Sequence, residues 1–480
     1  MSNLEKTKKS SYLIRLFIMA SVIATVACIF MAAFKDDMKL HPFWLLPLSY
    51  SLSLILIRHN VIRLAPGIIM INIVMFFRYA ITPLTIYATG ELSRYANNYI
   101  YLTEAIWLML YEMIAIMLTI ELTGKAPRIL KSATLGKTRK FYNFRSGGIA
   151  AILITGILLF LAINYRHLTG GILLIVSGTI STTNKITDNV SGAIGIIWQA
   201  SLAWMYIYVC LKIKKLSKKI ILSIIISAFY ILLTFIGQTN ISRWHTVISF
   251  TAVYFTLIKL YPTHKKAISL LMLTPASFFF VIVTLYKNTA FLTSGQSVFN
   301  SFMGLFAAST TDAYFAGPVN VNNAVGLIEN KEVGFFTIFY DLLNNMPVIN
   351  HFIDTRNASV NMFNMYIGRA YNGITGDQII PLVGQSSIYF SYILAPLLSV
   401  LSVFLIRYFD RKYHESNTPM IYIFAFTSAW IGVITILNLT IFMSWLYVRI
   451  IPLTLLIMFT EMKISASSQK SFYVKTVTRK

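Results

Sequence analysis

The chain has 480 residues, of which 56% are hydrophobic and only 12% charged, and it carries a formal net charge of +24. A soluble globular domain has roughly 45–50% apolar and about 25% charged residues, so this composition excludes a water-soluble fold and makes the bilayer the solvent. In a membrane protein such a charge is first an orientation signal, and nucleic acid is not needed as a partner to explain it.

Apolar stretches predict about twelve membrane-spanning helices, near 12–33, 41–57, 64–88, 99–122, 147–163, 191–211, 220–237, 246–262, 267–286, 387–406, 420–437 and 441–459. Helices are expected because backbone groups in lipid must pair within their own segment. The first stretch follows Lys6, Lys8 and Lys9 and reads as an uncleaved signal-anchor, since Tyr12 to Ala33 is long for a cleaved signal peptide. Most of the 41 basic residues fall in alternate loops, including Arg58 and Arg63, the run from Lys125 to Arg145, Lys212 to Lys219, Arg407 to Lys412, and the tail from Lys463. By the positive-inside rule those loops and both ends are cytoplasmic. Cys28 and Cys210 fall at opposite membrane depths, so no disulfide is expected between them.

Two segments differ from ordinary loops. Asn164 to Val190 is polar in its second half yet apolar from Gly171 to Ile180, which suits a re-entrant or interface-lying piece. Lys287 to Ser386, rich in Asn, Gly, Phe and Tyr, is expected to form a partly helical extracytoplasmic loop between spans 9 and 10, capping a cavity. The expected fold class is therefore all-α: a polytopic transmembrane helical bundle, one integral membrane domain over 1–480 with the large loop at 287–386. No internal repeat is visible.

The candidate binding residues are the cations away from the cytoplasmic loops. Arg78, Arg166, Arg243, Arg356 and Arg369 are expected where the outer leaflet meets water. Guanidinium groups converging on one cavity would grip a pyrophosphate bidentately. Taken singly, each could equally be a snorkelling interfacial arginine. Arg243 stands at the outer start of the eighth span with His245 two residues on, a base or hydrogen-bond donor unless it is structural. Arg369 lies in a glycine-rich segment with Tyr371, and Asp377 nearby is a further polar candidate or only its ion-pair partner. Arg449, Glu104 and Glu112 lie in apolar spans, where ionised groups face a cavity or a partner. No metal motif, phosphate-binding loop or nucleophile elbow occurs, so neither metal nor cofactor is expected.

The stretch GRAYNGITGDQIIPLVGQSSIYFSYILAP from Gly368 to Pro396 resembles the Wzy-type polymerases of O-antigen and capsular polysaccharide repeat units. Arg58 to Leu84 and Gly237 to Phe255 resemble the same family, as does the large outer loop between spans 9 and 10. Arg356 and Arg369 do not show the arginine-x10-glycine spacing of some members, since eleven residues separate Arg356 from Gly368 and fourteen separate Arg369 from Gly384. The resemblance implies a GT-C-like fold in a bacterial cytoplasmic (inner) membrane. It implies a glycosyltransferase that moves a growing chain from undecaprenyl pyrophosphate to the non-reducing end of a new lipid-linked repeat unit. Implied partners are that lipid-linked oligosaccharide, membrane lipid, and the flippase and chain-length regulator of the pathway. Arg243 and Arg369, helped by Arg78, would neutralise the leaving pyrophosphate. Arg166, Arg356, Tyr371 and Glu104 would line the substrate site, and His245, Asp377 or Glu104 would take the acceptor proton. The competing expectations are an O-antigen ligase, which uses the same donor but transfers to lipid A core, and a polysaccharide flippase or other secondary transporter.

Overall fold

The structure is a computed structural model that describes residues 3–34, 42–57, 65–93, 98–124, 156, 189–216, 220–236, 243–272, 274, 304, 307–330, 333–346, 349, 352–368, 378–416 and 419–458. Among these, every regular element is helical. In chain order they are α1 (Asn3–Ala33), α2 (Leu45–Ile57), α3 (Pro66–Phe76), a π turn (Phe77–Ile81), α4 (Thr82–Thr89), α5 (Leu102–Gly124), α6 (Asn189–Leu216), α7 (Ile220–Ile236) and α8 (Arg243–Leu260). There follow α9 (Ala308–Phe315), α10 (Pro318–Asn330), α11 (Thr337–Leu343), α12 (Ser359–Gly368), α13 (Leu382–Phe390), α14 (Leu397–Glu415), α15 (Met420–Gly432), α16 (Leu439–Trp445) and a second π turn (Leu446–Ile450).

Six helices among the described residues are long and apolar enough to cross a membrane: Arg15–Ala33, Pro66–Thr89, Leu102–Gly124, Ile196–Lys215, Tyr392–Glu415 and Leu439–Met458. Three shorter apolar helices accompany them, Pro42–Leu56, Ile220–Thr234 and Met420–Ile436. These apolar helices mark a membrane protein. The stretch expected at 246–262 is helical as α8 but is not among the six. The predicted spans at 147–163 and, for the most part, 267–286, and the predicted re-entrant piece, lie outside the described residues. One boundary moves. The span expected at 387–406 runs instead over Tyr392–Glu415, because Ser391 adopts a left-handed φ of 65° and separates it from α13. The segment at 287–386 is partly helical where it is described, from α9 to the start of α13.

The chain divides into two compact units, the first made of Met1–Ser132, Gln296–Arg411 and Thr427–Ser444, the second of Ala133–Gly295, Lys412–Phe426 and Trp445–Lys480. In the first, α1 packs on α2 and α4, α2 on α5, and α9 on α4, while α10 lies against α5, α12 and α13. Leu46, Ile71, Met109 and Val321 are wholly buried in its core. Residues Pro318 to Leu327 of α10 are all buried, so the start of this helix must find partners inside the protein. Asp312 supplies them: its two carboxylate oxygens accept from the Val319 and Asn320 amides at 3.0 and 3.2 Å. The reversal that permits this passes through Ala316, at φ 49°, and Gly317, where a Cβ would stand 2.5 Å from Asp312 Oδ1 and 2.8 Å from Thr82 Cγ2.

Two further buried carboxylates tie segments of the first unit together. Asp410 accepts from the Gly67 and Ile68 amides at 3.1 and 3.2 Å, satisfying the start of α3, and from Ser428 Oγ at 2.6 Å. Asp341 on α11 accepts from the Ser359 amide at 3.0 Å, Thr440 Oγ1 at 2.8 Å and the Tyr389 hydroxyl at 2.5 Å. Burial pushes the Asp341 carboxyl above its ordinary value, and the Tyr389, Ser359 and Thr440 hydrogen bonds pull it back. Gly432 lets α15 meet α3 closely, since a Cβ there would lie 2.8 Å from the Gly67 carbonyl oxygen.

The second unit is built on aromatic contacts. Tyr206 stacks on Tyr230 at 4.5 Å between ring centroids, and the Tyr230 and Tyr422 hydroxyls share a hydrogen bond of 2.8 Å. Lys259, in the last turn of α8, donates to the Tyr413 and His414 carbonyls at 2.6 Å each, capping the end of α14.

Candidate functional site: a cationic recess in the second unit

Two arginines lie within the candidate spans at π turns, the local widening of a helix that often accompanies a functional position. Their surroundings are opposite. Arg78, in the turn Phe77–Ile81, is wholly buried and paired with wholly buried Glu112, Nη1 to Oε2 at 2.9 Å. Its Nη1 also donates to the Thr435 carbonyl at 2.9 Å, while Glu112 accepts from Tyr79 at 3.3 Å and Ser399 at 2.5 Å. The sequence suggests that Arg78 stands where the outer leaflet meets water, ready for substrate. The structure instead makes it an internal tie. The π turn closes at Ile81, two residues before Pro83, and the helix continues to Thr89, capped by Gly90 at φ 71°.

Arg449 occupies the second π turn, between Leu446 and Ile450, and is only partly buried. Its guanidinium carbon lies 4.5 Å from the centroid of the Trp445 ring, one turn earlier. No carboxylate among the described residues pairs with it. It lines a shallow open recess together with Gln199, Tyr230, Thr234, Tyr422 and Phe426. Gln199 presents a buried Oε1 without a hydrogen-bond partner. Guanidinium donors and phenolic side chains together suit a ligand that carries both an anionic group and hydroxyls.

One residue predicted from sequence is linked to Arg449 through Trp445. His245, in the first turn of α8, is buried with its ring 5.0 Å from that of Trp445 and its Nε2 3.4 Å from Ser249 Oγ. Trp445 thus touches both His245 and Arg449, and Phe426 stacks on it at 6.0 Å. Sequence reasoning missed Trp445, Gln199, Tyr230 and Tyr422. The available signal was the four-residue spacing of Trp445 and Arg449, which puts both on one helical face.

The other predicted site residues do not join this group in the described structure. Arg356 is exposed beside Asp354, Nε to Oδ1 at 3.7 Å, and Glu104 is exposed in the first turn of α5. Arg243 opens α8, but its side chain lies outside the described residues, as do Arg166, Arg369, Tyr371 and Asp377. Among the described residues no group of three His, Cys, Asp or Glu side chains is placed to hold a metal, and both cysteines are free thiols. Comparison with protein-family models, with curated proteins and with solved structures finds no match.

Proposed function

We propose that this protein is a membrane glycosyltransferase that joins lipid-pyrophosphate-linked oligosaccharide repeat units into longer chains at the outer face of a bacterial cytoplasmic membrane. The observation that carries this reading is the recess around Arg449, a cation with no carboxylate partner among the described residues, lined also by Gln199 and two tyrosines. A glycosyl donor held by a pyrophosphate has that mixture of charge and hydroxyls. The resemblance of Gly237–Phe255 and Gly368–Pro396 to Wzy-type polymerases supports the same chemistry.

In this reaction the anomeric carbon–oxygen bond to the pyrophosphate breaks and a new bond forms to an acceptor hydroxyl. The hydroxyl proton goes to a base, and the lipid pyrophosphate leaves with its electron pair. Arg449 would stabilise the charge that grows on the leaving group, with Arg243 and Arg369 proposed as further cations. His245, Asp377 and Glu104 are the proposed proton acceptors, and His245 is the one that touches Trp445, the ring that Arg449 covers.

Transport is the second reading, and one observation favours it. Arg449 lies about ten residues, roughly 15 Å, into its helix, near the mid-depth where transporters bind their cargo. Purified protein in liposomes with a synthetic lipid-pyrophosphate-linked repeat unit separates the two. Chain growth on a gel, reduced about a hundredfold or more by Arg449→Ala and restored only in part by Arg449→Lys, is expected for the transferase. Translocation of the unit without any growth would overturn the transferase, and full growth by Arg449→Ala would remove the recess from it.

A further inference from the structure

The first unit contains a segment whose polarity is inside out. Around α11, Thr337 and Asp341 point inward and are buried, Asp341 completely, while Phe335, Phe336 and Phe339 are 50%, 75% and 51% exposed. The three rings touch one another, with Phe335–Phe336 at 6.1 Å, Phe335–Phe339 at 6.2 Å and Phe336–Phe339 at 6.3 Å. An element with hydrogen-bonded polar groups within and a band of phenyl rings without is ordered for a surrounding that is itself apolar.

Two tethers fix its level. Asp341 accepts from Thr440 Oγ1 at 2.8 Å, and Asn345 Nδ2 donates to the Thr440 carbonyl at 3.2 Å, at the very beginning of the candidate span Leu439–Met458. On the other side, Phe335 packs on Phe390 at 6.0 Å, two residues before the candidate span Tyr392–Glu415 begins. The first turn of that span is itself apolar and open, Ile393 being 78% exposed. The Leu439 amide donates to Gln385 Oε1 of α13 at 2.7 Å, so both spans start on the same side of the membrane. The phenylalanine band therefore continues the exposed face of a membrane-crossing helix at its end.

We infer that Phe335, Phe336 and Phe339 are inserted into the bilayer at the boundary of headgroups and acyl chains, making α11 an interfacial anchor for the segment that precedes the two membrane-crossing helices to which it is tethered. The partner is lipid itself. Phenylalanine rather than tyrosine or tryptophan suits the acyl side of that boundary, and no lysine or arginine occurs from Val333 to Asn345 to require an anionic headgroup. The inference is independent of the glycosyl-transfer reading, since it needs only a membrane protein.

The test uses the full chain, with Cys28 and Cys210 replaced by alanine and a nitroxide on Phe336→Cys, in liposomes of phosphatidylcholine and phosphatidylglycerol. Collision with dissolved oxygen is compared with collision with water-soluble Ni-EDDA. Oxygen should exceed Ni-EDDA at this position severalfold more than at Arg356→Cys, an exposed and charged reference site. Equal ratios at the two positions would overturn the inference. So would an immobile label reached by neither reagent, which would mean a protein surface, such as a second copy, covers the band. If the alanine replacements do not fold, the same label goes on Phe336→Cys or Phe339→Cys with the two buried native thiols left in place.

Discussion

Replacing Glu112 by glutamine removes the carboxylate paired with Arg78 while keeping the side chain's shape. The two groups are 2.9 Å apart and neither is exposed. The amide oxygen can keep the Tyr79 bond while the amide nitrogen donates to a turned Ser399 hydroxyl, so few hydrogen bonds are lost and the cost is chiefly an uncompensated buried charge. Arg78 has no reserve to meet it, because Nε and Nη2 already lack hydrogen-bond partners. Breaking a buried pair in this way costs about 3–5 kcal/mol. Removing both charges, as in Arg78→Met with Glu112→Leu, should be about neutral or stabilising, by up to roughly 4 kcal/mol, since the desolvation of both ions disappears. Unfolding by dodecyl sulfate titration in mixed micelles, followed by tryptophan fluorescence, measures both variants against the wild type. A single-variant cost below about 1 kcal/mol, or a double variant less stable than Glu112→Gln, would refute the view of this pair as an internal tie.

Gly432→Val should destabilise the first unit by about 1–3 kcal/mol, because the added atoms meet the Gly67 carbonyl, Met70 and the Ile71 amide; unchanged heat tolerance in detergent would show that α3 and α15 separate at no cost. Asp312 predicts a pH effect. Burial pushes its carboxyl up to about 7, against the pull of the Val319 and Asn320 amides and nearby Arg78. Because the folded value lies above the unfolded one of 3.8, its stabilising contribution is complete below that value and is lost as pH rises through about 7. Asp312→Asn should flatten the decline of stability over that window, and parallel wild-type and variant profiles would contradict the assignment. Arg449→Met, which keeps the stem and removes the charge, should leave unfolding free energy unchanged or higher, because no carboxylate among the described residues is stranded by its loss; a large destabilisation would mean that the guanidinium is structural.

Hydrophobic length made the main helices legible, and α1, α5, α7 and α16 begin or end close to where the apolar runs do. The end of α13 was not legible. IYFSYILAP reads as continuous apolar sequence, and only the left-handed backbone at Ser391 divides it. The π turns left no mark either, since neither Phe77–Ile81 nor Leu446–Ile450 contains glycine or proline. That is why Arg78 is expected in water from its sequence and is found against Glu112. Arg449 announced itself as a charge in an apolar run, but that no described carboxylate stands beside it is a fact of packing. The same holds for the meeting of His245 with Trp445, about two hundred residues apart in sequence. Tyrosines such as Tyr230 and Tyr422 carry no periodic signal, and they become informative only once their hydroxyls are seen to join at the recess.

The central claim is that this chain lengthens a lipid-linked saccharide. Its most direct test is the size distribution of surface polysaccharide, on a gel, from a strain lacking the gene and from the same strain with the gene restored. Loss of the long-chain ladder, with one repeat unit still on its normal acceptor and the ladder recovered on restoration, is the predicted result. Polymer accumulating on its carrier lipid would point to a ligase instead, and single units trapped on the cytoplasmic face to a flippase. A ladder unchanged by the deletion would contradict the account.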